Sequence, residues 1–262
     1  MQKVKDHFWL WGHDAGSHNP EYHLPGESRI TPVEAAYYMG IPNMIMVRFN
    51  ERSLPPEEPY IIPFKALDKL LWSIVGGGGV TMREERERVL QLSERLPNLI
   101  GVMMDDFFTI TPDNRVTAPI AVDELKGIRQ QLDAGSPKLD LWVVVYDNLL
   151  RHSLGDYLTL CDAVTFWTWE AQNLRKLEQN FEMLEFLAPE HKKVLGCYMF
   201  DYGKNRNMPV DLMQYQCETG LRWLRDGRID GMIFLASCIC DLTLESVAWT
   251  RDWISRVGET TL

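Results

Sequence analysis

A chain of 262 residues, 45% hydrophobic and 24% charged, has an ordinary globular composition and enough apolar surface for one sizeable core. Its formal net charge of −10 argues against the basic face that a nucleic acid or an anionic membrane surface requires. No apolar run reaches the roughly 18 residues of a membrane span, so neither nucleic acid nor membrane is expected as a partner, and the oligomeric state stays open.

The chain begins "MQKVKDHFWLW", with two lysines but no apolar stretch or cleavage site of signal-peptide type. As written it reads as cytoplasmic; a periplasmic or secreted protein whose leader had been removed would read the same.

The first strand candidate, "HFWLWG" (7–12), runs into "GHDAGSHNPEYH", which carries His13, Asp14, His18 and His23. "TPVEAAYYMG" follows as a helix, with Thr31 as N-cap, Pro32 at the first helical position and Gly40 as its stop. "MIMVRFN" (44–50) is the second strand and ends at Arg48 and Asn50. The prolines of "ERSLPPEEPYIIPFKALDK" permit only a short helix before the third strand, "LLWSIV" (70–75), which leads into "GGGG". "TMREERERVLQLSERLPN" sets Val89, Leu92 and Leu96 on one stripe, with Thr81 and Glu84 at capping-box spacing. The fourth strand, "LIGVMMD" (99–105), closes on Asp105 and Asp106 and is followed by the helical "VDELKGIRQQLDAG".

"LDLWVVVYD" (139–147) is fifth, ending at Tyr146, Asp147 and Asn148, and a glycine breaks the helix pattern of "LLRHSLGDYLTLCD" behind it. "AVTFWTW" (163–169) is sixth and presents Trp167, Trp169 and Glu170. "VLGCYMF" (194–200) is seventh, ending at Asp201 and Tyr202; "GMIFLAS" (231–237) is eighth, with Asp241 a few residues on. Patterns of period near 3.6 in "NLRKLEQNFEMLEFL", "VDLMQYQCETGLRWLRDG" and "TLESVAWTRDWISRV" follow the last three strands.

Eight strands, apolar on both faces and alternating with helices, call for a parallel sheet covered by helices. Their number and the chain length match an α/β fold of (β/α)8 TIM-barrel type, one catalytic domain over residues 1–262. A doubly wound sheet is the alternative, but no GxGxxG follows any strand.

In such a barrel the loops at the C-terminal strand ends build the active site. Carboxylates recur there after strands four to seven: Asp105, Asp106, Asp147, Glu170 and Asp201. Helix capping is the competing reading, strongest for Asp147 and Asp241. Two carboxyl groups held close together divide labour, one protonated and one ionised, as glycoside hydrolysis requires. Adjacent strand residues face opposite ways, so only one of Asp105 and Asp106 is expected in the pocket.

Nine tryptophans add a second signal, since indoles stack on the apolar faces of sugar rings. Trp167 and Trp169, two apart on one strand face, together with Tyr146 and Tyr202, read as a sugar-binding wall. Trp142, Trp223, Trp249 and Trp253 read as packing between barrel and helices. His13, Asp14, Arg48, Asn50 and Asp147 complete the substrate-binding set. Lys204 and Arg206 near the mouth either recognise an acidic sugar or offset nearby carboxylates.

No HxH stands on the first strand and no histidine on strands five to seven, so no metal and no cofactor are assigned. The four glycines before a helix read as an anion cradle, a lid or a close backbone approach. The five cysteines, odd in number and lacking CxxC, read as small core residues.

With "MMDDFF", "FWTWE" and "CYMFDYG" on strands four, six and seven, the chain resembles the barrel domains of bacterial glycoside hydrolases over nearly its whole length. In several such families the acids lie at the ends of strands four and six or four and seven. The resemblance therefore implies Asp105 or Asp106, Glu170 and Asp201 as catalytic groups. The Asn-Glu pair of the largest retaining group is absent, as is the DxxDxDxE pattern of chitinase-like barrels. The expectation is a cofactor-free glycoside hydrolase with a carbohydrate substrate, Glu170 as general acid and Asp105 or Asp106 as base or nucleophile. A metal-assisted sugar lyase, isomerase or hydrolase using His13, Asp14 and His18, and a non-catalytic carbohydrate-binding barrel, are the alternatives.

Overall fold

The computed structural model describes residues 2–49 and 59–262. Eight strands form a closed parallel barrel: β1 (Phe8–Gly12), β2 (Asn43–Met46), β3 (Lys69–Val75), β4 (Leu99–Met104), β5 (Asp140–Tyr146), β6 (Ala163–Trp167), β7 (Lys192–Tyr198) and β8 (Gly231–Leu235). Each strand pairs with its sequence neighbours, and β1 closes the ring against β8 through Phe8 opposite Met232 and Trp11 opposite Leu235. Among the described residues seven α-helices alternate with them: α1 (Pro32–Met39), α2 (Arg83–Gln91), α3 (Val122–Ala134), α4 (Gly155–Leu158), α5 (Leu177–Leu187), α6 (Val210–Arg225) and α7 (Glu245–Val257). This is the expected (β/α)8 barrel. Between β2 and β3 the described chain forms only a 3-10 turn over Ile62–Ala66, and α4 is a single turn, as the proline- and glycine-broken patterns imply.

Strands buried on both faces give the barrel its two cores. The interior is filled by indoles reaching across from opposite strands. Trp9 meets Trp142 edge-on with ring centroids 5.3 Å apart, and Trp11 meets Trp167 in the same manner and at the same separation. Trp142 therefore lies inside the barrel rather than in the layer between barrel and helices, where the sequence reading put it. Gly196 makes room: a Cβ there would stand 2.1 Å from the Trp167 ring. The outer layer contains Trp253 stacked on Phe8, and Trp223 stacked on Phe181 at 4.2 Å. All five cysteines are buried and unpaired.

Helix ends follow local chemistry. α1 has the full capping box, with the Thr31 and Glu34 side chains bonding each other's backbone N–H, and it stops at Gly40 in the left-handed region. α2 lacks the box expected from Thr81 and Glu84: its N-cap is Met82, and the Thr81 hydroxyl instead donates to the Ile74 carbonyl at 2.7 Å. Asp241 does not cap α7 either. Its carboxylate accepts the N–H groups of Arg29 and Ile30, tying the long loop after β1 to the end of β8. No helix among the described residues is long and apolar enough to cross a membrane.

Candidate active site

At the C-terminal mouth of the barrel lies a pocket of about 220 Å³. β1 supplies Trp11 and, from the loop behind it, His13, His18, Glu21 and Tyr22. Phe49 follows β2, Gly77 and Gly78 follow β3, and Asp105 and Asp106 follow β4. Tyr146 ends β5, Trp169 follows β6, Tyr198 and Tyr202 come from the end of β7, and Leu235 ends β8.

Both aspartates face this space, against the expectation that only one would. The strand ends at Met104, so the alternation rule no longer governs them, and Asp106 turns into the left-handed region at φ 45°. Aspartate tolerates that conformation better than most residues. The Asp106 N–H then donates to Asp105 Oδ1 at 2.9 Å. Asp106 is itself clamped: Tyr146 Oη donates to its Oδ1 at 2.6 Å and the Gly78 N–H to its Oδ2 at 2.7 Å. The "GGGG" stretch thus cradles an anion, and the anion is the protein's own carboxylate. Gly76 has a second reason to be glycine, since a Cβ there would lie 2.6 Å from the Arg48 carbonyl oxygen.

Asp105 is 7% exposed. Burial, reinforced by the neighbouring Asp106 charge, pushes its carboxyl well above the ordinary aspartate range, so it holds a proton where an exposed aspartate would not. Burial also raises the hydroxyls of Tyr146, Tyr198 and Tyr202 well above their ordinary value, and they remain protonated donors. Tyr22 is pushed up to about 12 by burial and by the charges of Glu21, Asp106 and Asp105.

His13 is locked. Trp11 Nε1–H donates to its Nε2 at 3.1 Å, which leaves Nδ1 to donate to the Val47 carbonyl at 2.9 Å. Burial lowers its pKa to about 4, so the ring is neutral, and both nitrogens are committed to the protein. Burial and the neighbouring His13 hold His18 well below the ordinary histidine range, and its Nδ1 lies 3.1 Å from Tyr202 Oη. Among the described residues no group of three or more His, Cys, Asp or Glu is arranged to hold a metal ion.

Of the residues singled out in the sequence, the pocket brings together Asp105, Asp106, His13, Tyr146, Trp169 and Tyr202. The others lie elsewhere. Trp167 shares a strand face with Trp169 but sits one layer lower, 1% exposed, its Nε1–H on Thr165 Oγ1; it supports the pocket floor and is not part of the wall. Glu170 pairs with Lys204 at 3.0 Å and accepts from Gln172, and the Lys204 contact holds its carboxyl below the usual range. Asp201 is buried, accepting the Ala171 N–H and pairing with Arg206 at 2.9 Å. Arg48 is buried against Glu85 at 3.0 Å. Asp14 accepts the Ala15 N–H. Asp147, half-buried, accepts backbone hydrogen bonds from Trp169 and Asn148, and burial raises its carboxyl. Asn50 lies outside the described residues.

Sequence reasoning passed over Glu21, Tyr22, Phe49 and Tyr198. Tyr198 had a signal, because it stands two residues before Phe200 on a strand whose period-2 pattern points it inward. Glu21 and Tyr22 lie in an irregular loop, where no periodicity applies.

No protein-family model and no curated protein matches the chain. Solved structures do. Active domain 2 of a chitinase from Pyrococcus furiosus matches with TM-score 0.61 and 12% identity, covering 100% of this chain and 98% of that one. A protein described as an α-L-fucosidase from Bacteroides thetaiotaomicron matches with TM-score 0.61 and 10% identity, covering 100% and 98%. A xylanase and α-amylase inhibitor protein solved with trehalose matches with TM-score 0.57 and 13% identity, covering 96% and 98%. At these identities the likeness is one of fold: the chain shares the (β/α)8 barrel of these two hydrolases and of the inhibitor protein.

Proposed function

We propose that this chain hydrolyses a glycosidic bond with Asp105 and Asp106 as its working carboxyl pair. The observation that carries the reading is their asymmetry within one pocket. Asp105 is buried and keeps its proton, whereas Asp106 is clamped by Tyr146 and the Gly78 N–H, two donors suited to a carboxylate. In the reaction the Asp105 proton goes to the departing glycosidic oxygen as its bond to the anomeric carbon breaks. The Asp106 carboxylate opposes the positive charge developing on the ring and accepts a proton from the water that adds to the anomeric carbon. Trp169, Tyr22 and Tyr202 offer ring faces and hydroxyls to the sugar. Glu170, expected as the acid from the sequence, is less suited to that role, because its ion pair with Lys204 favours the ionised form.

A second reading, a sugar-binding barrel without turnover, draws support from the ion pairs that occupy Glu170 and Asp201. One experiment separates the two. Wild type, Asp105→Asn and Asp106→Asn are assayed against a panel of aryl glycosides and oligosaccharides, with binding followed in parallel. Turnover that collapses in both folded variants supports the hydrolase; binding without turnover in wild type supports the binding barrel and removes the hydrolase.

A further inference from the structure

We infer, building on the reading of Asp105 and Asp106 as the working pair, that Arg48 is a positioning residue: it holds the glycine loop over residues 76–79 so that the Gly78 N–H stays on Asp106. The sequence reading gave Arg48 to the substrate, but it is 1% exposed and does not line the pocket. It reaches the loop at both ends. Its carbonyl accepts the Gly77 N–H at 2.8 Å, and its guanidinium Nη2 donates to the Val80 carbonyl, just past the last glycine. Its own N–H donates to Ser73 Oγ at 3.0 Å, which anchors it to β3 before the loop begins. From α2, Glu85 meets the guanidinium Nε at 3.0 Å.

The loop's internal bonds, Gly76 N–H to the Val80 carbonyl at 2.9 Å and Gly79 N–H to the Gly76 carbonyl at 3.1 Å, set its shape but not its direction. Arg48 supplies the direction. Gly78 and Gly79 stand in the left-handed region at φ 71° and 69°, and a Cβ on Gly79 would lie 3.0 Å from the Asp106 carbonyl oxygen. The loop therefore lies directly against Asp106. A shift of about 1 Å would carry the 2.7 Å bond from Gly78 to Asp106 beyond hydrogen-bond range. Arginine suits this task because its planar fork serves a carbonyl and a carboxylate together, which a lysine ammonium does not. Buried ion pairs are often no more stabilising than apolar packing. Stability is thus a poor reason for a pair at this spot, whereas loop geometry is a specific one.

The test is amide hydrogen exchange on the full chain, read residue by residue by NMR, in Arg48→Lys and Gly76→Ala. The two variants attack one contact from opposite sides. Lysine keeps a charge opposite Glu85 but loses the fork, and a Cβ at Gly76 would lie 2.6 Å from the Arg48 carbonyl oxygen. Gly76→Ala leaves the buried ion pair in place, so it reads the contact even if Arg48→Lys does not fold. The Gly77 and Gly78 amides should exchange about tenfold or more faster than in wild type, with strand amides such as Leu10 and Val143 unchanged. Glycine amides that keep their wild-type rates in the folded variants, or that quicken only in step with the strands, would overturn the inference. Where turnover is found, Arg48→Lys should lower kcat by about tenfold with KM nearly unchanged; a rise confined to KM would make Arg48 a binding residue and overturn it as well. Exchange is read without catalysis. A wild type without turnover would therefore remove the hydrolase reading while the exchange rates still decide whether Arg48 holds the loop.

Discussion

The Asp106 N–H donates to Asp105 Oδ1 at 2.9 Å, so two adjacent acids share a hydrogen bond at the point where an apolar strand stops. That bond offsets part of the repulsion between them and favours charge on Asp105, while burial and the Asp106 charge oppose it more strongly. The net result is a protonated carboxyl beside an anchored one. If Asp105 supplies the catalytic proton, kcat should fall as pH rises through its raised pKa, and Asp105→Asn should lower kcat by about 10²–10⁴ and abolish that alkaline limb. A pH–rate profile of both proteins on one aryl glycoside checks this. An alkaline limb that survives in Asp105→Asn assigns the proton elsewhere.

Linkage gives the same residue a second signature. The folded chain holds the Asp105 proton at pH values where the unfolded chain has released it. Stability from this group is therefore lost as pH rises from the ordinary aspartate value toward the raised one. Asp105→Asn removes that loss, and its Tm should exceed the wild-type value increasingly as pH rises above the ordinary aspartate value. Thermal melts from acid to neutral pH are sufficient, and a variant less stable at every pH contradicts the assignment.

Tyr146 tests the clamp. Its hydroxyl donates to Asp106 at 2.6 Å and stays protonated because burial raises its pKa. Hydrogen bonds to a charged group contribute about 1.5–3 kcal/mol. Tyr146→Phe should therefore lower kcat by about ten- to a hundredfold and lower Tm as well, while the ring still meets Trp169 edge-on and keeps the pocket's shape. A fall confined to KM would mean that Tyr146 binds sugar and does not orient the carboxylate.

Much of this architecture was legible before any coordinates. Eight apolar runs, each ended by turn chemistry, marked all eight strands, and period-3.6 stripes marked the main helices between them. The candidate site was legible in part, because position at a strand end is a local property: Asp105, Asp106, Tyr146, Trp169 and Tyr202 were singled out that way and line one pocket. The misreadings share a cause. Whether Trp167 faces ligand or fills the barrel depends on its height in the barrel, which the register across strands fixes and a single strand does not reveal. Whether Glu170 and Asp201 work on substrate or hold Lys204 and Arg206 depends on side chains brought together by a separate turn. The four glycines were legible as an anion cradle, but that Gly78 holds Asp106 of the same chain depends on two strand ends that the fold brings together.

Gly196 carries a packing prediction. It faces Trp167 inside the barrel, where an added Cβ would fall 2.1 Å from the indole, far inside van der Waals contact. Trp167 has no room to retreat, being packed on Trp11 and Tyr198. Gly196→Ala should cost about 3 kcal/mol or more, at the upper end of overpacking effects, because the clash is with a rigid ring and not a flexible chain end. Urea unfolding would register it as a lower midpoint at unchanged slope. A near-neutral result would show that the edge-on Trp11–Trp167 contact is looser than the geometry implies.

His13 makes the protein acid-sensitive in a defined window. In the folded chain its pKa is about 4, against 6.5 for a free histidine, because the ring is buried, an effect that outweighs the opposing hydrogen bond to the Val47 carbonyl. Below 6.5 the unfolded chain binds a proton that the folded chain refuses, so stability falls with falling pH until the folded value is reached. The difference corresponds to about 3 kcal/mol at most, taking 1.36 kcal/mol per pKa unit. His18, held low by burial and by His13, should add to the same loss. His13→Gln removes one of the two titrations. The variant should be destabilised at pH 7.5, where the wild type has its hydrogen bonds intact, yet lose less further stability than wild type between pH 6.5 and 4.5. Denaturant melts at those three pH values decide the matter: equal acid losses in the two proteins would show that burial does not hold His13 neutral.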